Sequence, residues 1–93
     1  MKIAILGAGF TGLTAAYRLA KQGHNVTLFE KEKVVGGLAT GFKQPNWEWY
    51  LDYHYHHLFT SDKFAINLLK EIGAESDLIF KRPKTKIYYQ QQA

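Results

Sequence analysis

The sequence has no cysteine, and its 93 residues include only two prolines and one methionine. Without cysteine there is no disulfide, no thiolate nucleophile and no cysteine-ligated metal. Small secreted domains usually depend on disulfide staples, so this absence points to the reducing cytoplasm as the compartment. Long apolar runs are missing as well. Met1, Lys2 and Ile3 to Leu6 begin like a signal peptide, but Gly7, Gly9, Thr11 and Gly12 interrupt the run and Arg18 follows. No stretch reaches the roughly 18 apolar residues that a membrane span needs, so no span is expected and this segment is read as part of the folded protein.

Acidic residues are the scarcer charge, 8 against 12 Lys and Arg, giving a net charge of +4. The excess sits late, at Lys81, Arg82, Lys84 and Lys86, with Tyr88 and Tyr89 after it. Basic residues beside aromatics are one way to hold a nucleic acid, but no RNA- or DNA-binding motif accompanies them. The stretch therefore reads as a solvated strand or loop, and no nucleic-acid partner is expected. What is present is ordinary for a folded protein: 46% hydrophobic, 22% charged and 15% aromatic residues, which argues against disorder. The length allows one small domain.

Ile3 to Leu6 is a short, continuously apolar run, the pattern of a strand buried on both faces of a parallel sheet. Leu13, Ala16, Leu19 and Ala20 then recur at helical spacing, and Gly23 stands where a helix ends in a left-handed residue. Val26, Leu28 and Phe29 lie in a second short strand, Asn25 to Phe29. Strand, helix and strand within thirty residues predict a parallel βαβ unit with a right-handed crossover. Residues 42–59, rich in aromatics and His and broken by Pro45 and Asn46, predict extended segments around a turn. A second helix starts near Ser61 as N-cap, with Asp62 in its first turn. Phe64, Ile66, Leu68, Leu69 and Ile72 form its apolar stripe, and Gly73 closes it. Thr85 to Tyr89 has strand character. The fold class is α/β.

Gly7-Ala8-Gly9-Phe10-Thr11-Gly12 spells G-x-G-x-x-G, and here it follows a strand and opens a helix, the context that gives the string meaning. Gly7 permits the tight turn, Gly9 lets the backbone approach a pyrophosphate, and Gly12 lets the helix pack on the strand. The helix start offers N–H groups and positive dipole to phosphates. Glu30 ends the second strand, where a carboxylate accepts hydrogen bonds from ribose hydroxyls and repels a 2′-phosphate.

The glycine loop alone does not separate NAD from FAD. Glu30, five further residues, then Gly36 and Gly37, followed by Leu38, Ala39 and Thr40, resemble the E-x₅-G-G signature of the amine oxidase, phytoene desaturase and protoporphyrinogen oxidase superfamily of flavoproteins. UDP-galactopyranose mutase has a similar opening. The resemblance covers residues 2–41. It implies a partial Rossmann-like FAD-binding domain with FAD as cofactor, Gly36 and Gly37 running beside the ribose and pyrophosphate, and Ala39, Thr40 and Gly41 approaching the ribityl chain or flavin. A looser resemblance to protoporphyrinogen-oxidase-like members covers Trp47 to Asp62, with Tyr55-His56-His57-Leu58-Phe59. The amine oxidases usually carry arginines where this chain has Glu32 and Leu38, so pyrophosphate charge must be met by the helix dipole and backbone, or by Lys31 or Lys33.

The cofactor-binding residues expected are thus Gly7, Gly9, Phe10, Thr11, Gly12, Glu30, Lys31, Gly36, Gly37, Leu38, Ala39 and Thr40. No catalytic residue can be named. A doubly wound sheet needs more strands than this chain supplies. Residues 1–93 are therefore expected to be the N-terminal part of an FAD- or NAD(P)-binding domain of a longer protein, a flavin-dependent oxidoreductase of a small-molecule substrate, with the isolated piece inactive. A mutase without net redox change and a non-catalytic nucleotide-binding module are the alternatives. Asp52, His54 and His56 alternate, so on a strand they share a face with His57 opposite. Three readings stay open for them: a metal site, polar residues on a half-exposed strand, or the wall of a flavin or substrate pocket. No metal is expected.

Overall fold

The computed structural model describes residues 1–54 and 56–90 and divides into two compact units, Met1–His57 and Leu58–Ala93. In the first unit, β1 (Lys2–Leu6) leads into α1 (Phe10–Lys21) and then β2 (Asn25–Phe29). The two strands pair in parallel, from Lys2 opposite Asn25 to Leu6 opposite Phe29. This is the expected βαβ unit. Helix α1 ends as its sequence predicts: Gly23 takes a φ of 90°, its N–H donates to the Ala20 carbonyl, and the His24 N–H donates to the Leu19 carbonyl. That pair of bonds is a Schellman closure, which needs a residue tolerant of left-handed backbone.

Packing departs from expectation in two ways. Ile3, Ile5, Val26 and Leu28 are half-buried, whereas Ala4, Leu6, Thr27 and Phe29 are exposed, with Leu6 at 85% and Phe29 at 55%. Among the described residues the strands are therefore covered on one face only, because α1 packs on one side and no described element of this unit covers the other. On α1, Gly12, Ala15, Ala16 and Leu19 are half-buried, but Leu13 and Ala20 are exposed. Small residues rather than the first Leu form the packing stripe, since the helix lies so close to β1 that a Cβ on Gly12 would stand 3.5 Å from Ile5 Cγ2.

After a 3₁₀ turn at Gly37–Ala39, strands β3 (Gly41–Phe42) and β4 (Leu51–Asp52) form a short antiparallel ladder, Gly41 opposite Asp52 and Phe42 opposite Leu51. Pro45 and Asn46 lie in the intervening turn, closed by the Trp47 N–H donating to the Gln44 carbonyl at 3.0 Å. Phe42 fixes this hairpin through tilted ring contacts with Tyr53 at 4.7 Å and Trp47 at 5.8 Å between centroids.

In the second unit, α2 spans Lys63–Glu71 and a 3₁₀ turn Glu75–Asp77 follows. The N-cap is Asp62 rather than Ser61, because the Asp62 carboxylate accepts the Phe59 N–H at 2.8 Å and ties off the preceding turn. Gly73, with φ 78°, closes α2 by a second Schellman pair, Gly73 N–H to Lys70 and Ala74 N–H to Leu69. The strand expected over Thr85 to Tyr89 is not formed: residues 81–88 carry no regular structure. A β-propensity segment becomes a strand only when a neighbour completes its ladder. Among the described residues no helix is long and apolar enough to cross a membrane.

Candidate dinucleotide site

Three segments meet at Ala8, which is fully buried. Gly7 leaves β1 with φ 102°, its N–H still bonded to the Phe29 carbonyl at 2.7 Å. The Ala8 N–H donates to Glu30 Oε1 at 2.8 Å, and the Ala8 carbonyl accepts the Gly36 N–H at 2.7 Å. Gly9 and Gly36 then form an isolated parallel bridge. The two glycine segments, whose bridged residues Gly9 and Gly36 are 27 positions apart, thus lie backbone against backbone.

Gly12, Gly36 and Gly37 are where side chains would not fit. A Cβ on Gly12 would stand 1.9 Å from the Gly7 carbonyl oxygen. One on Gly37 would stand 3.0 Å from Gly9 Cα, and one on Gly36 would stand 2.8 Å from Thr40 Cγ2. Gly36 and Gly37 also hold φ values of 122° and 57°, a region where L-residues other than glycine are strained. A Cβ on Gly9 would meet only Gly37 Cα, at 3.8 Å, and otherwise point into open space. That space is what an approaching ligand would use.

Helix α1 begins directly beyond this space. Its N-cap, Gly9, has no side chain to accept a hydrogen bond, and the first turn holds no acidic residue. The N–H groups of Phe10, Thr11 and Gly12 therefore have no intrahelical acceptor, and the positive end of the helix dipole is not neutralised locally. An anion such as a phosphate satisfies both deficits.

Glu30 stands just past β2, half-buried, and faces the loop. Oε1 accepts the Ala8 N–H at 2.8 Å and Oε2 accepts the Glu32 N–H at 2.9 Å. The Glu32 N–H, then the Ala8 N–H, hold the carboxyl below its ordinary value of 4.5, and the Lys31 charge adds to this. The group is therefore an anion at neutral pH. A carboxylate has about four acceptor positions, so capacity remains for a hydroxyl donor.

Two open grooves flank the loop and share Leu6, Gly7 and Gly37. One, of about 730 Å³, runs along Gly9–Gly12 and Gly36–Ala39. The other, of about 650 Å³, runs along Phe29–Glu32. Of the expected residues, Gly7, Gly9, Phe10, Thr11, Gly12, Gly36, Gly37, Leu38 and Ala39 line the first, and Glu30 and Lys31 the second. Thr40 lines neither; its hydroxyl donates to the Gly37 carbonyl at 2.8 Å and braces the 3₁₀ turn. Ala8, the buried hub, was not expected, although a small residue between two loop glycines is the available signal. His56 also lines the first groove, and its Nδ1 lies 3.4 Å from Asp52 Oδ2. The expected alternation of Asp52, His54 and His56 on one strand does not occur, because β4 ends at Asp52. Tyr55 lies outside the described residues. No three His, Asp or Glu side chains gather as metal ligands among the described residues.

The family described as NAD(P)-binding Rossmann-like domain matches residues 5–72. Similar curated proteins include the 4,4′-diapophytoene desaturases (4,4′-diaponeurosporene-forming) of Staphylococcus aureus strains COL, Newman and USA300. Each is 59% identical over 44 residues, 47% of this chain and 9% of the desaturase, so the chain corresponds to a small part of their length. These matches bear out the resemblance to the phytoene desaturase superfamily drawn from the paired motifs. No solved structure matches the chain significantly.

Proposed function

The chain belongs to the NAD(P)-binding Rossmann-like domain family, and from that premise we propose that it holds the ADP moiety of FAD for a flavin-dependent oxidoreductase. The observation that carries this reading is the convergence of a side-chain-free helix start, the open space over Gly9 and the Glu30 carboxylate on one loop. Phe10, Thr11 and Gly12 N–H groups bind the pyrophosphate. The free acceptor positions of Glu30 bind the adenosine ribose and exclude a 2′-phosphate by repulsion. Gly36 and Gly37 let the chain pass close to the cofactor without a Cβ in the way. Lys31, next to Glu30, adds positive charge at the same end.

FAD, when bound, would supply the acceptor for a hydride, that is two electrons and one proton, taken from the substrate. The desaturase relatives favour oxidation of a C–H bond, with the remaining walls of the reaction site contributed by sequence beyond this chain. The compartment proposed is the cytoplasm, from the cysteine-free composition.

The test is equilibrium binding of FAD, NAD and ADP to the wild-type protein and to Gly9→Val. The branched side chain enters the space over the loop, so binding of FAD and ADP falls by at least tenfold, with the far-UV circular dichroism unchanged. A Gly9→Val protein that retains wild-type affinity for FAD sinks the loop assignment, and a preference for NAD over FAD sinks the choice of cofactor.

A further inference from the structure

We infer that His56, held by Asp52, is the side chain that meets the non-adenosine half of the bound dinucleotide; this rests on the proposed function and assigns a residue to its second half. The two grooves beside the glycine loop differ in what marks them. Glu30, the sugar-binding acid, lines only the groove along Phe29–Glu32, and His56 lines only the groove along Gly9–Gly12. With the adenosine ribose at Glu30 and the pyrophosphate on the N–H groups of Phe10, Thr11 and Gly12, which line the groove that contains His56, the part of the ligand beyond the pyrophosphate continues along that groove.

That groove is chemically plain. Its walls are glycine, alanine, isoleucine, leucine and phenylalanine, with one hydroxyl, Thr11, and one ionisable side chain, His56. A polar edge of the ligand there meets backbone, Thr11 or His56. The imidazole is also placed rather than loose. Asp52 is paired opposite Gly41 in the β3–β4 ladder, and that ladder is close because a Cβ on Gly41 would stand 2.8 Å from the Leu51 carbonyl oxygen. The chain that leaves the second glycine segment thus returns beside itself and delivers His56 to the groove. The Asp52 carboxylate beside Nδ1 favours the proton there and leaves Nε2 for the ligand. The pair is too exposed, 38% and 60%, to contribute much to folding, so a structural role alone does not account for its position and its removal leaves the fold intact.

The experiment measures FAD and ADP affinities side by side for wild type, His56→Ala, Asp52→Asn and the double variant. His56→Ala weakens FAD about tenfold, the size of one lost hydrogen bond, and changes ADP by less than about twofold. Asp52→Asn weakens FAD less than His56→Ala does, and adds nothing in the His56→Ala background, which marks it as a positioning residue acting through the imidazole. The visible absorption band of bound FAD shifts in both single variants. Equal loss of FAD and ADP in His56→Ala, or no loss of FAD, overturns the assignment while leaving the ADP site standing. A wild-type protein that binds neither ligand overturns the ADP site and this assignment together.

Discussion

Replacing Gly12 by Ala isolates the tightest approach found at any glycine. The added methyl would stand 1.9 Å from the Gly7 carbonyl oxygen and 3.0 Å from its carbon. Neither atom can step aside cheaply: Gly7 is already at φ 102°, and its N–H is bonded to the Phe29 carbonyl. Helix α1 must therefore move off β1. Overpacking of this kind costs about 1–3 kcal/mol, against a gain of at most about 1 kcal/mol from the better helix propensity of Ala. Subtracting that full gain leaves a net loss of up to about 2 kcal/mol, which lowers the midpoint of thermal unfolding by up to roughly 16 °C for a domain of this size. The control is Gly9→Ala, the same methyl at an ordinary φ of −77° with its nearest neighbour at 3.8 Å, which stays within about 1 kcal/mol of wild type. Thermal melts followed by circular dichroism compare the three proteins. A Gly12→Ala protein that melts at or above the wild-type temperature, or no lower than Gly9→Ala, refutes the packing argument.

Other perturbations separate the remaining contributions. Because the folded Glu30 carboxyl lies below its ordinary value, it contributes stability that is present above about pH 4.5 and lost as pH falls through the lower folded value. An acid titration of stability therefore falls less steeply in Glu30→Gln than in wild type, and identical profiles would disprove the bracing role. Gly36→Ala combines strain at φ 122° with an overlap on the Thr40 methyl, costing about 1–3 kcal/mol. Thr40→Ser relieves only the overlap, so a double-mutant cycle gives a coupling above about 0.5 kcal/mol; strict additivity would place the whole cost in the backbone. Phe42→Ala removes ring contacts worth about 0.5–1.5 kcal/mol each and raises the amide exchange rate of Tyr53, whose N–H reaches the Thr40 carbonyl at 3.3 Å. Unchanged exchange there would show that the hairpin does not depend on the aromatic cluster.

The parts of the fold legible in sequence are those decided within a few residues. β1, α1 and β2 follow from apolar spacing, and both helix ends follow from Gly23 and Gly73, because a left-handed closure is a local demand on one residue. What failed needed partners distant in sequence. Leu13 promised burial and is exposed, since the close approach set by Gly12 turns the small residues Ala15 and Ala16 toward the sheet. Thr85 to Tyr89 promised a strand, and of these residues only Tyr89 takes part in a β-bridge. His56 reached the candidate site through a hairpin whose register Gly41 and Leu51 set, and no periodicity in the sequence encodes that return.

Glu30 carries a further consequence for how the site is built. A carboxylate at the end of β2 is legible as a candidate sugar ligand, but much of its acceptor capacity is spent on the protein itself, on the N–H groups of Ala8 and Glu32 among others. Those bonds fix Ala8, and Ala8 in turn accepts from Gly36, so one carboxylate sets the spacing between the two glycine segments before any ligand arrives. Such preorganisation lowers the ordering cost of binding. It also means that removing Glu30 perturbs the loop and the proposed sugar contact together, whereas a side chain at Gly9, whose Cβ would meet only Gly37 Cα at 3.8 Å, reports more directly on the ligand.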